Sequence, residues 1–377
     1  MVCFTVPALF LCSFSVLWMK TGGLRAFRIP NRNVVMMMAP RRAVRDGLGR
    51  PVSDLRISVT DRCNFRCTYC MPKEVFGADY PFLPHSALLS FEEIVRLVRL
   101  FVQLGVRKVR LTGGEPLLRR DLETLVAMIA EVEGIEDMAL TTNGSMLTPE
   151  RARALKAAGL RRVTISLDAM DDAVFQALND VRFPVSRVLA AMDAAAAAGL
   201  QPVKINAVVK RGVNDQQIVP LAEYFRNTGH VLRFIEYMDV GNTNGWRMED
   251  VVPAEDMLRA IHERWPLEPV PPAHPGEVAT RYRYLDGAGE IGVIASVTRP
   301  FCGGCTRARL SSDGQLFTCL FGSRGHDVRA WLRQNWSDEA LLDALAGVWG
   351  RRVDRYSEVR SAHTTHSPRV EMSKIGG

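Results

Sequence analysis

The chain has 377 residues, of which 47% are hydrophobic, and a formal net charge of +7. This length can bury one large domain together with a smaller one. Of its 48 basic and 41 acidic residues, eight basic residues and one acidic residue lie within residues 1–50, so 40 of each sign remain. The neutral remainder excludes overall basicity as a reason to expect a nucleic-acid partner, and we predict none. Any anion site in the main body must be built from a few locally placed cations.

We predict that residues 1–45 form an N-terminal extension. Residues 1–19 carry no charge and are just long enough to span a membrane. However, no basic segment precedes them and Pro7 interrupts them. Because three methionines follow at 36–38, we expect translation to begin at one of them, which makes residues 1–35 an upstream extension. A membrane anchor, or a disordered or transit segment, is the alternative.

Beyond Asp54 the sequence alternates short apolar strands with helical patterns. The predicted strands are 55–59, 108–111, 138–142, 162–167, 203–209 and 232–237. The predicted helices are 91–103, 120–132, 149–158, 185–198 and 215–227. Ser90 and Glu93 have the spacing of a capping box at the start of the first helix. This succession indicates a parallel sheet with right-handed crossovers, whose chemistry is expected at the C-terminal ends of the strands.

Six of the eight cysteines fall into two tight groups of three, which are Cys63, Cys67 and Cys70 and then Cys302, Cys305 and Cys319. Structural zinc sites and iron–sulfur clusters normally use four ligands, so a group of three leaves one metal position open to a small molecule. This distribution indicates metal clusters in a reducing compartment and not a disulfide framework. We therefore predict a cytoplasmic protein.

The first group has the spacing C-x3-C-x2-C with an aromatic residue before the last cysteine, which resembles the radical S-adenosylmethionine (SAM) superfamily. The resemblance implies an α/β fold, a partial (β/α)6 barrel of TIM type, and a [4Fe–4S] cluster whose open iron binds SAM. The residues that match the family's SAM contacts are Tyr69, Gly114, Ser166 and Met238. Without the resemblance, the alternatives are buried core cysteines or half of a zinc site completed from elsewhere.

In the second group, Arg307 and Arg309 follow closely after the second cysteine, Cys305. Planar guanidinium groups match phosphate oxygens well, so beside a cluster with an open iron this R-x-R pair predicts a polyphosphate site. Two other interpretations stay open at this point. The cysteines could form a zinc knuckle that borrows His326, and the arginines could be a solvated basic pair.

The barrel, the C-x2-C-x13-C group with its R-x-R pair, and the final Gly376-Gly377 together resemble the GTP 3′,8-cyclase family (molybdenum cofactor biosynthesis protein A) over residues 40–377. The resemblance implies a barrel over residues 46–245. It implies a C-terminal extension over 246–377 with a second [4Fe–4S] cluster that binds the guanine of GTP. The residues that match the family's GTP contacts are Arg56, Arg110, Thr141, Lys204, Arg307, Ala308 and Arg309. The tail is implied to enter the barrel, and Lys374 departs from the apolar residue expected there.

The implied reaction begins when an external electron, from a flavodoxin or a ferredoxin, reduces the first cluster and SAM yields a 5′-deoxyadenosyl radical. This radical removes the C3′ hydrogen of GTP. The C3′ radical then attacks C8 of guanine, and a further electron and a proton complete (8S)-3′,8-cyclo-7,8-dihydroguanosine 5′-triphosphate. Arg307 and Arg309 are expected to hold the triphosphate and to stabilise charge during this attack. A monomeric or homodimeric lyase is implied, whose product passes to cyclic pyranopterin monophosphate synthase.

Two other functions compete with this interpretation. The first is another radical SAM enzyme with an auxiliary cluster, such as a peptide-modifying maturase, which would resemble a cysteine-richer C-terminal pattern. The second is a zinc-binding nucleic-acid module. The neutral main body and the missing fourth ligands both argue against that module.

Overall fold

The computed structural model describes residues 43–274, 276–361 and 368–376. The strands are β1 (Asp54–Ser58), β2 (Lys108–Thr112), β3 (Asp137–Thr142), β4 (Arg162–Ser166), β5 (Lys204–Val209), β6 (Val231–Glu236), β7 (Leu267–Val270), β8 (Thr280–Tyr284), β9 (Glu290–Ile294), β10 (Arg307–Leu310), β11 (Gln315–Phe317) and β12 (His326–Asp327). The helices are α1 (Phe91–Leu104), α2 (Leu122–Ala130), α3 (Pro149–Ala157), α4 (Asp172–Asn179), α5 (Val185–Ala197), α6 (Ile218–Phe225), α7 (Ala254–His262), α8 (Val328–Arg333), α9 (Asp338–Gly350) and α10 (Met372–Ile375).

All twelve of these strands belong to one sheet, in the order β12-β11-β10-β1-β2-β3-β4-β5-β6-β9-β8-β7. The strands from β1 to β6 are parallel neighbours in sequence order. The two strands at the ends of this order, β12 and β7, do not pair with each other, so the sheet is an open, partial barrel. The fold class expected from the sequence is confirmed. The predicted domain boundary near residue 245 stays a prediction, because strands from both sides of it share this sheet.

The sequence pattern locates the six parallel strands well, each within one residue of the bounds of β1 to β6. The predicted helix 120–132 is shortened to α2, and 215–227 is divided into a 3-10 turn at Asp215–Gln217 and α6. Helix α4 falls where the pattern predicts no element. Its N-cap Asp171 accepts a hydrogen bond from the backbone N–H of Val174, and it ends at Asp180 with a left-handed φ of 51°. Only eight residues long, it has too little periodicity to be predicted reliably.

Two strands of the C-terminal region extend the barrel at opposite edges. On one edge β10 pairs in parallel with β1, with Arg309 opposite Arg56. On the other edge β9 pairs in parallel with β6 and continues antiparallel into β8 and β7. The chain between Cys305 and Cys319 therefore lies beside the first strand, which brings the R-x-R pair next to the start of the barrel.

The strands divide apolar and polar side chains between the two faces of the sheet. In β1, Leu55 and Ile57 are fully buried in the main hydrophobic core, while Arg56 between them lines a cavity on the other face. Strand β2 repeats this arrangement around Arg110. The inner face of the barrel is therefore polar and cationic, whereas the outer face packs under helices.

Helix α1 shows how local signals define an element. Ser90 and Glu93 form the predicted capping box, and Gly105 ends the helix with a φ of 116°. In the part of the chain that the structure describes, no helix is long and apolar enough to cross a membrane. The predicted N-terminal extension lies outside the described residues except for residues 43–45.

Candidate active site

Both cysteine groups line one cavity inside the partial barrel. The first group lies beyond the C-terminal end of β1, whereas the second lies beside its N-terminal end, where the Ser53 N–H donates to the carbonyl of Thr306 at 3.0 Å. The cavity has a volume of about 280 Å³. Its lining includes all six grouped cysteines, which are Cys63, Cys67, Cys70, Cys302, Cys305 and Cys319. None of the six is in a disulfide. The fold thus unites two groups of thiols that are far apart in the sequence.

The loop that carries the first group is held from two sides. The Arg66 guanidinium donates hydrogen bonds to the carbonyl oxygens of Cys63 and Phe76, each at 2.7 Å. The backbone N–H groups of Arg66 and Thr68 donate to the last turn of α4, at 3.0 and 3.1 Å. Helix α4, which the sequence did not predict, therefore supports the loop and fixes the positions of its three thiols.

The donor set of each group fits an iron–sulfur cluster, since thiolates are the usual ligands of such clusters. Burial raises the pKa of Cys63 to about 12. Burial would also raise the pKa of Cys305, but the charges of Arg307 and Arg352 lower it to about 6. Among the described residues, no three His, Cys, Asp or Glu side chains are grouped to hold a single metal ion. In a [4Fe–4S] cluster each thiolate binds a different iron.

The loop after β2 lies against the cysteine loop. A Cβ on Gly113 would lie 2.6 Å from the carbonyl oxygen of Thr60, and one on Gly114 would overlap the carbonyl of Arg62. Only glycine allows this approach. The buried carboxylate of Glu115 accepts hydrogen bonds from the Thr142 hydroxyl at 2.7 Å and from the Asn143 N–H at 2.8 Å, which joins the loops after β2 and β3.

Tyr69 is positioned by a residue beyond β4. Its hydroxyl donates to the Asp168 carboxylate at 2.8 Å, and that carboxylate also accepts a hydrogen bond from the Val208 N–H at 2.9 Å. Burial raises the pKa of Asp168 to about 6, against the opposing effect of these two hydrogen bonds. Asp168 therefore ties the cysteine loop to the ends of β4 and β5.

Six arginines line the cavity, which are Arg56, Arg110, Arg233, Arg307, Arg309 and Arg352. The Nε atoms of Arg56, Arg110 and Arg233 are buried and have no hydrogen-bond partner in the described part of the chain. A buried donor without an acceptor is costly, so a ligand with several anionic oxygens would stabilise this face. The inner wall therefore fits a polyphosphate.

Burial and the positive charges of neighbouring side chains lower the pKa values of several cations at this site. Burial and the neighbouring Arg110 lower the pKa of Arg233 to about 9. Burial and Arg307 lower the pKa of Arg309 to about 10. Burial and Arg233 lower the pKa of Lys204 to about 7. Each shift reflects a positive potential that the protein's own carboxylates do not offset, which is the condition that favours an anionic ligand.

The C-terminal tail reaches the same cavity. Met372 and Ser373 line it, and the Arg309 guanidinium donates a hydrogen bond to the Gly376 carbonyl. Gly376 has a φ of 70°, and a Cβ on it would overlap the Thr112 side chain. Lys374 points away to Asp313, with 2.9 Å between Nζ and Oδ2, so its charge fits the tail without entering the cavity. This arrangement agrees with the expectation that the tail enters the barrel.

Sequence comparison identifies the family. The family described as Radical SAM superfamily matches residues 57–225, and that described as Molybdenum Cofactor Synthesis C matches residues 230–358. A GTP 3′,8-cyclase of Acidothermus cellulolyticus is 55% identical, with 89% of this chain and 99% of the relative covered. The chain belongs to the GTP 3′,8-cyclase family. Relatives of the same name from Staphylococcus saprophyticus and Xanthomonas axonopodis pv. citri are 49% and 52% identical, with 89% and 90% of this chain and 99% and 100% of the relatives covered.

A solved structure supports the fold assignment for this member of the cyclase family. Streptococcus suis SuiB bound to S-adenosylmethionine matches with a TM-score of 0.55 at 18% identity, and the match covers 82% of this chain and 68% of SuiB. At this identity the likeness concerns the fold alone. Family membership is therefore the stronger argument, and it does not favour the alternative of a peptide-modifying maturase.

The structure brings most of the predicted contact residues of this cyclase-family chain to the cavity. Those that line it are Tyr69, Gly114, Ser166, Met238, Arg56, Arg110, Thr141, Arg307 and Arg309. Two others do not. Lys204 stands at the start of β5, and Ala308 is fully buried in the hydrophobic core between the two arginines. The individual roles of all these residues stay predictions.

Four charged residues of the lining are absent from the sequence prediction, namely Asp168, Arg233, Arg352 and Asp354. Arg233 could have been predicted from its position in the sequence. It is the third residue of β6, as Arg56 and Arg110 are the third residues of β1 and β2. Asp168 is the second residue after β4 and could be found from the rule that functional residues stand at the C-terminal ends of strands. Arg352 follows α9 and has no local motif, so only the tertiary fold reveals it.

Proposed function

We propose that this chain is a GTP 3′,8-cyclase of molybdenum cofactor biosynthesis, a lyase that converts GTP to (8S)-3′,8-cyclo-7,8-dihydroguanosine 5′-triphosphate. One observation carries the proposal: two groups of three thiols and three buried arginine Nε atoms without partners in the described residues face the same cavity. A radical site alone would explain only the first group of thiols. The second group and the arginines supply a place for a nucleotide triphosphate.

Two [4Fe–4S] clusters are proposed, one on Cys63, Cys67 and Cys70 and the other on Cys302, Cys305 and Cys319. With SAM bound and one electron supplied from outside, a cluster held by Cys63, Cys67 and Cys70 would supply the radical chemistry that removes a hydrogen atom from C3′ of GTP. The proposed SAM contacts are Tyr69, Gly114, Ser166 and Met238. The close approach of the two glycine-containing loops and the Tyr69–Asp168 hydrogen bond support this assignment, because both hold the surroundings of SAM rigid.

The arginines of the inner wall bind and orient the substrate in this proposal. Arg56, Arg110 and Arg233 offer donors to the triphosphate, and Arg307 and Arg309 lie next to the second cysteine group. Holding the triphosphate from several strands fixes the ribose within the cavity, which supplies the positioning that an intramolecular attack on C8 requires. The same cations offset negative charge that develops on the guanine during the attack.

Exclusion of water is the task proposed for the tail. Met372 and Ser373 line the cavity and Ile375 is fully buried, so the tail covers part of its wall. A reactive radical attacks any molecule within reach, and a covered cavity limits such side reactions. Arg309, through its hydrogen bond to Gly376, joins the tail to the proposed substrate site.

The cellular setting is part of the proposal. Grouped free thiols and the absence of any disulfide among the described cysteines are compatible with a reducing compartment, and we place the enzyme in the cytoplasm. A reduced flavodoxin or ferredoxin would supply electrons. Cyclic pyranopterin monophosphate synthase would take the product.

Anaerobic incubation of reconstituted protein with GTP, SAM and dithionite tests the proposal. We expect 5′-deoxyadenosine and a cyclised guanine nucleotide, from protein that contains about eight irons per chain. Deoxyadenosine without consumption of GTP would assign another substrate. Colourless protein with zinc and no iron would contradict the cluster assignment.

A further inference from the structure

Asn206 differs from the other unpaired groups of the cavity wall. Several buried side-chain atoms of the lining have no hydrogen-bond partner among the described residues, and most of them are arginine Nε atoms, which can only donate. The Oδ1 atom of Asn206 is also buried and lacks a partner in the part of the chain that the structure describes, but it can only accept. Because a buried acceptor without a donor is costly, the cavity favours a ligand that brings a donor to Asn206 as well as acceptors to the arginines.

Asn206 stands on β5 between the two proposed ligand sites. Side chains two residues apart on a strand share a face, and Lys204, Asn206 and Val208 alternate with buried residues of the main core. Lys204 is a predicted GTP contact. The Val208 N–H donates to Asp168, and Asp168 holds Tyr69 of the proposed SAM site. Asn206 is therefore one row of side chains away from each site.

The donors proposed for the triphosphate converge one row before Asn206. The guanidinium groups of Arg110 and Arg233 both donate to the Thr164 hydroxyl, at 3.2 and 3.3 Å. Thr164 lies two residues before Ser166, and Ser166 stands opposite Asn206 in the pairing of β4 with β5. Two residues of a strand span about 7 Å, so a triphosphate held near Thr164 leaves Asn206 beside the next part of the nucleotide, which is the ribose.

A ribose hydroxyl has the chemistry that this place requires. Phosphate oxygens can only accept, so they suit the arginines and not the Oδ1 atom of Asn206. A hydroxyl both donates and accepts, and so does an amide, so the two groups can pair whichever way the amide is turned. The N–H groups of guanine are assigned to the second cysteine group beside β10, and four strands separate β10 from β5 in the sheet order.

We propose that Asn206 is a substrate-binding residue that accepts a hydrogen bond from a ribose hydroxyl of GTP and thereby selects GTP over its deoxy analogues. The inference rests on the proposed function, because it needs GTP in this cavity. When the triphosphate is held on one side and the ribose hydroxyl on the other, the sugar cannot turn, which keeps C3′ toward the proposed SAM site. No covalent bond changes at Asn206 and no proton is transferred to it.

Nucleotide discrimination within one protein tests the proposal. Asn206→Ala removes the amide, and the nucleotides compared are GTP, 2′-deoxyGTP and 3′-deoxyGTP. Anaerobic equilibrium dialysis with the reconstituted protein, without SAM, would give the Kd of each. The unaltered protein should bind GTP about tenfold or more tightly than the analogue that lacks the bonded hydroxyl, because that analogue leaves the amide unpaired. In Asn206→Ala this ratio should fall to about one, since neither nucleotide then leaves a buried acceptor unpaired.

The ratio separates recognition from a general loss of structure, because a folding defect weakens the binding of both nucleotides alike. Asn206→Asp keeps an acceptor in the same position. It should keep the discrimination, although its negative charge weakens the binding of every nucleotide. Gln334→Ala, which removes an exposed amide after α8, is the matched control and should behave as the unaltered protein does.

SAM also carries ribose hydroxyls, so its binding is measured separately. The Kd for SAM, determined by the same dialysis without GTP, should be unchanged in Asn206→Ala. The amount of 5′-deoxyadenosine formed per cyclised GTP should rise in this variant, because a sugar that turns no longer presents its C3′ hydrogen reliably.

Each outcome decides one point. Equal ratios in Asn206→Ala and the unaltered protein, with normal cyclisation of GTP, would overturn the role of Asn206 and leave the proposed function intact. Weaker binding of SAM with an unchanged nucleotide ratio would assign Asn206 to the ribose of SAM, which also overturns the proposal. If the unaltered protein neither binds GTP nor cyclises it, the proposed function itself is wrong.

Discussion

Arg56, Arg110 and Arg233 occupy equivalent positions on three parallel strands, and each keeps a buried Nε without a partner in the described residues. Burial of these Nε atoms without an acceptor has a cost in free energy that an anionic ligand would offset. At this scale we propose that the substrate supplies the acceptors for these donors. Arg233 is the informative member, because neither a motif nor the R-x-R pair marks it.

Replacing Arg233 with Met should weaken GTP binding and leave SAM binding unchanged. Loss of a hydrogen bond to a charged group costs about 1.5–3 kcal/mol, so we expect the KM for GTP to rise roughly ten- to hundredfold. Steady-state assays with each substrate varied in turn would measure this. Arg283→Met, at an arginine that is 63% exposed and paired with Glu268, is the control. Equal KM values for GTP in the two variants would contradict a role for Arg233 in the substrate site.

Lys204 gives a pH dependence of stability. Burial and the charges of Arg233, Arg162, Lys108 and Arg110 lower its pKa from 10.5 to about 7. Between about pH 7 and pH 10 the folded protein therefore binds fewer protons than the unfolded chain, and its stability rises with pH in this window. Below pH 7 the charged lysine destabilises the ligand-free protein in full.

Lys204→Met should stabilise the ligand-free protein at pH 7, by about 1–3 kcal/mol, and remove this part of the pH dependence. Anaerobic thermal unfolding of the reconstituted protein at pH 7 and pH 9.5 would show it, as a smaller difference between the two midpoints in the variant. If the unaltered protein and the variant change by the same amount, the charge of Lys204 is not the cause.

Among the elements, the C-terminal helix α10 and the glycine after it connect the two ends of the site. Glu371, just before α10, accepts a hydrogen bond from the Asn242 N–H at 2.9 Å, and Arg369 pairs with the buried Asp239 at 3.2 Å. These contacts hold the tail to the loop after β6. From there the tail reaches Thr112 at the end of β2 and Arg309 in β10.

A methyl group on Gly376 should displace the end of the tail. Gly376→Ala would place its Cβ against Thr112 and strain a φ of 70°, so we expect kcat/KM for GTP to fall by about a hundredfold. Thr112→Ser removes the methyl that clashes and should restore part of the activity to the double variant. Full activity of Gly376→Ala alone would show that the position of the tail does not matter for turnover.

For the whole molecule, the sequence predicts those features whose signals are local. Strand periodicity, the capping box at Ser90 and the spacing of the two cysteine groups all depend on neighbouring residues, and the strands and the fold class agree with the structure. The parallel pairing of β10 with β1 and the entry of Arg352 into the cavity depend on contacts between distant segments. No local pattern encodes them, so they appear only in the folded chain.

The assembled molecule places the proposed radical site and the proposed nucleotide site in one cavity. The first cysteine group lies beyond the C-terminal end of β1, and the second group with its arginines forms another part of the same cavity wall, beside the N-terminal end of β1. The chain thus combines a radical-generating site with a substrate site that a neutral main body could build only from a few placed cations.

Transfer of isotope from the substrate is the most direct measurement of this proposed reaction. GTP that carries deuterium at C3′ would be incubated anaerobically with the reconstituted protein, SAM and dithionite, and the products examined by mass spectrometry. We expect 5′-deoxyadenosine with one deuterium and a cyclised nucleotide that has lost it. Deoxyadenosine without deuterium, formed while GTP stays intact, would contradict the assignment of this cavity as a GTP 3′,8-cyclase site.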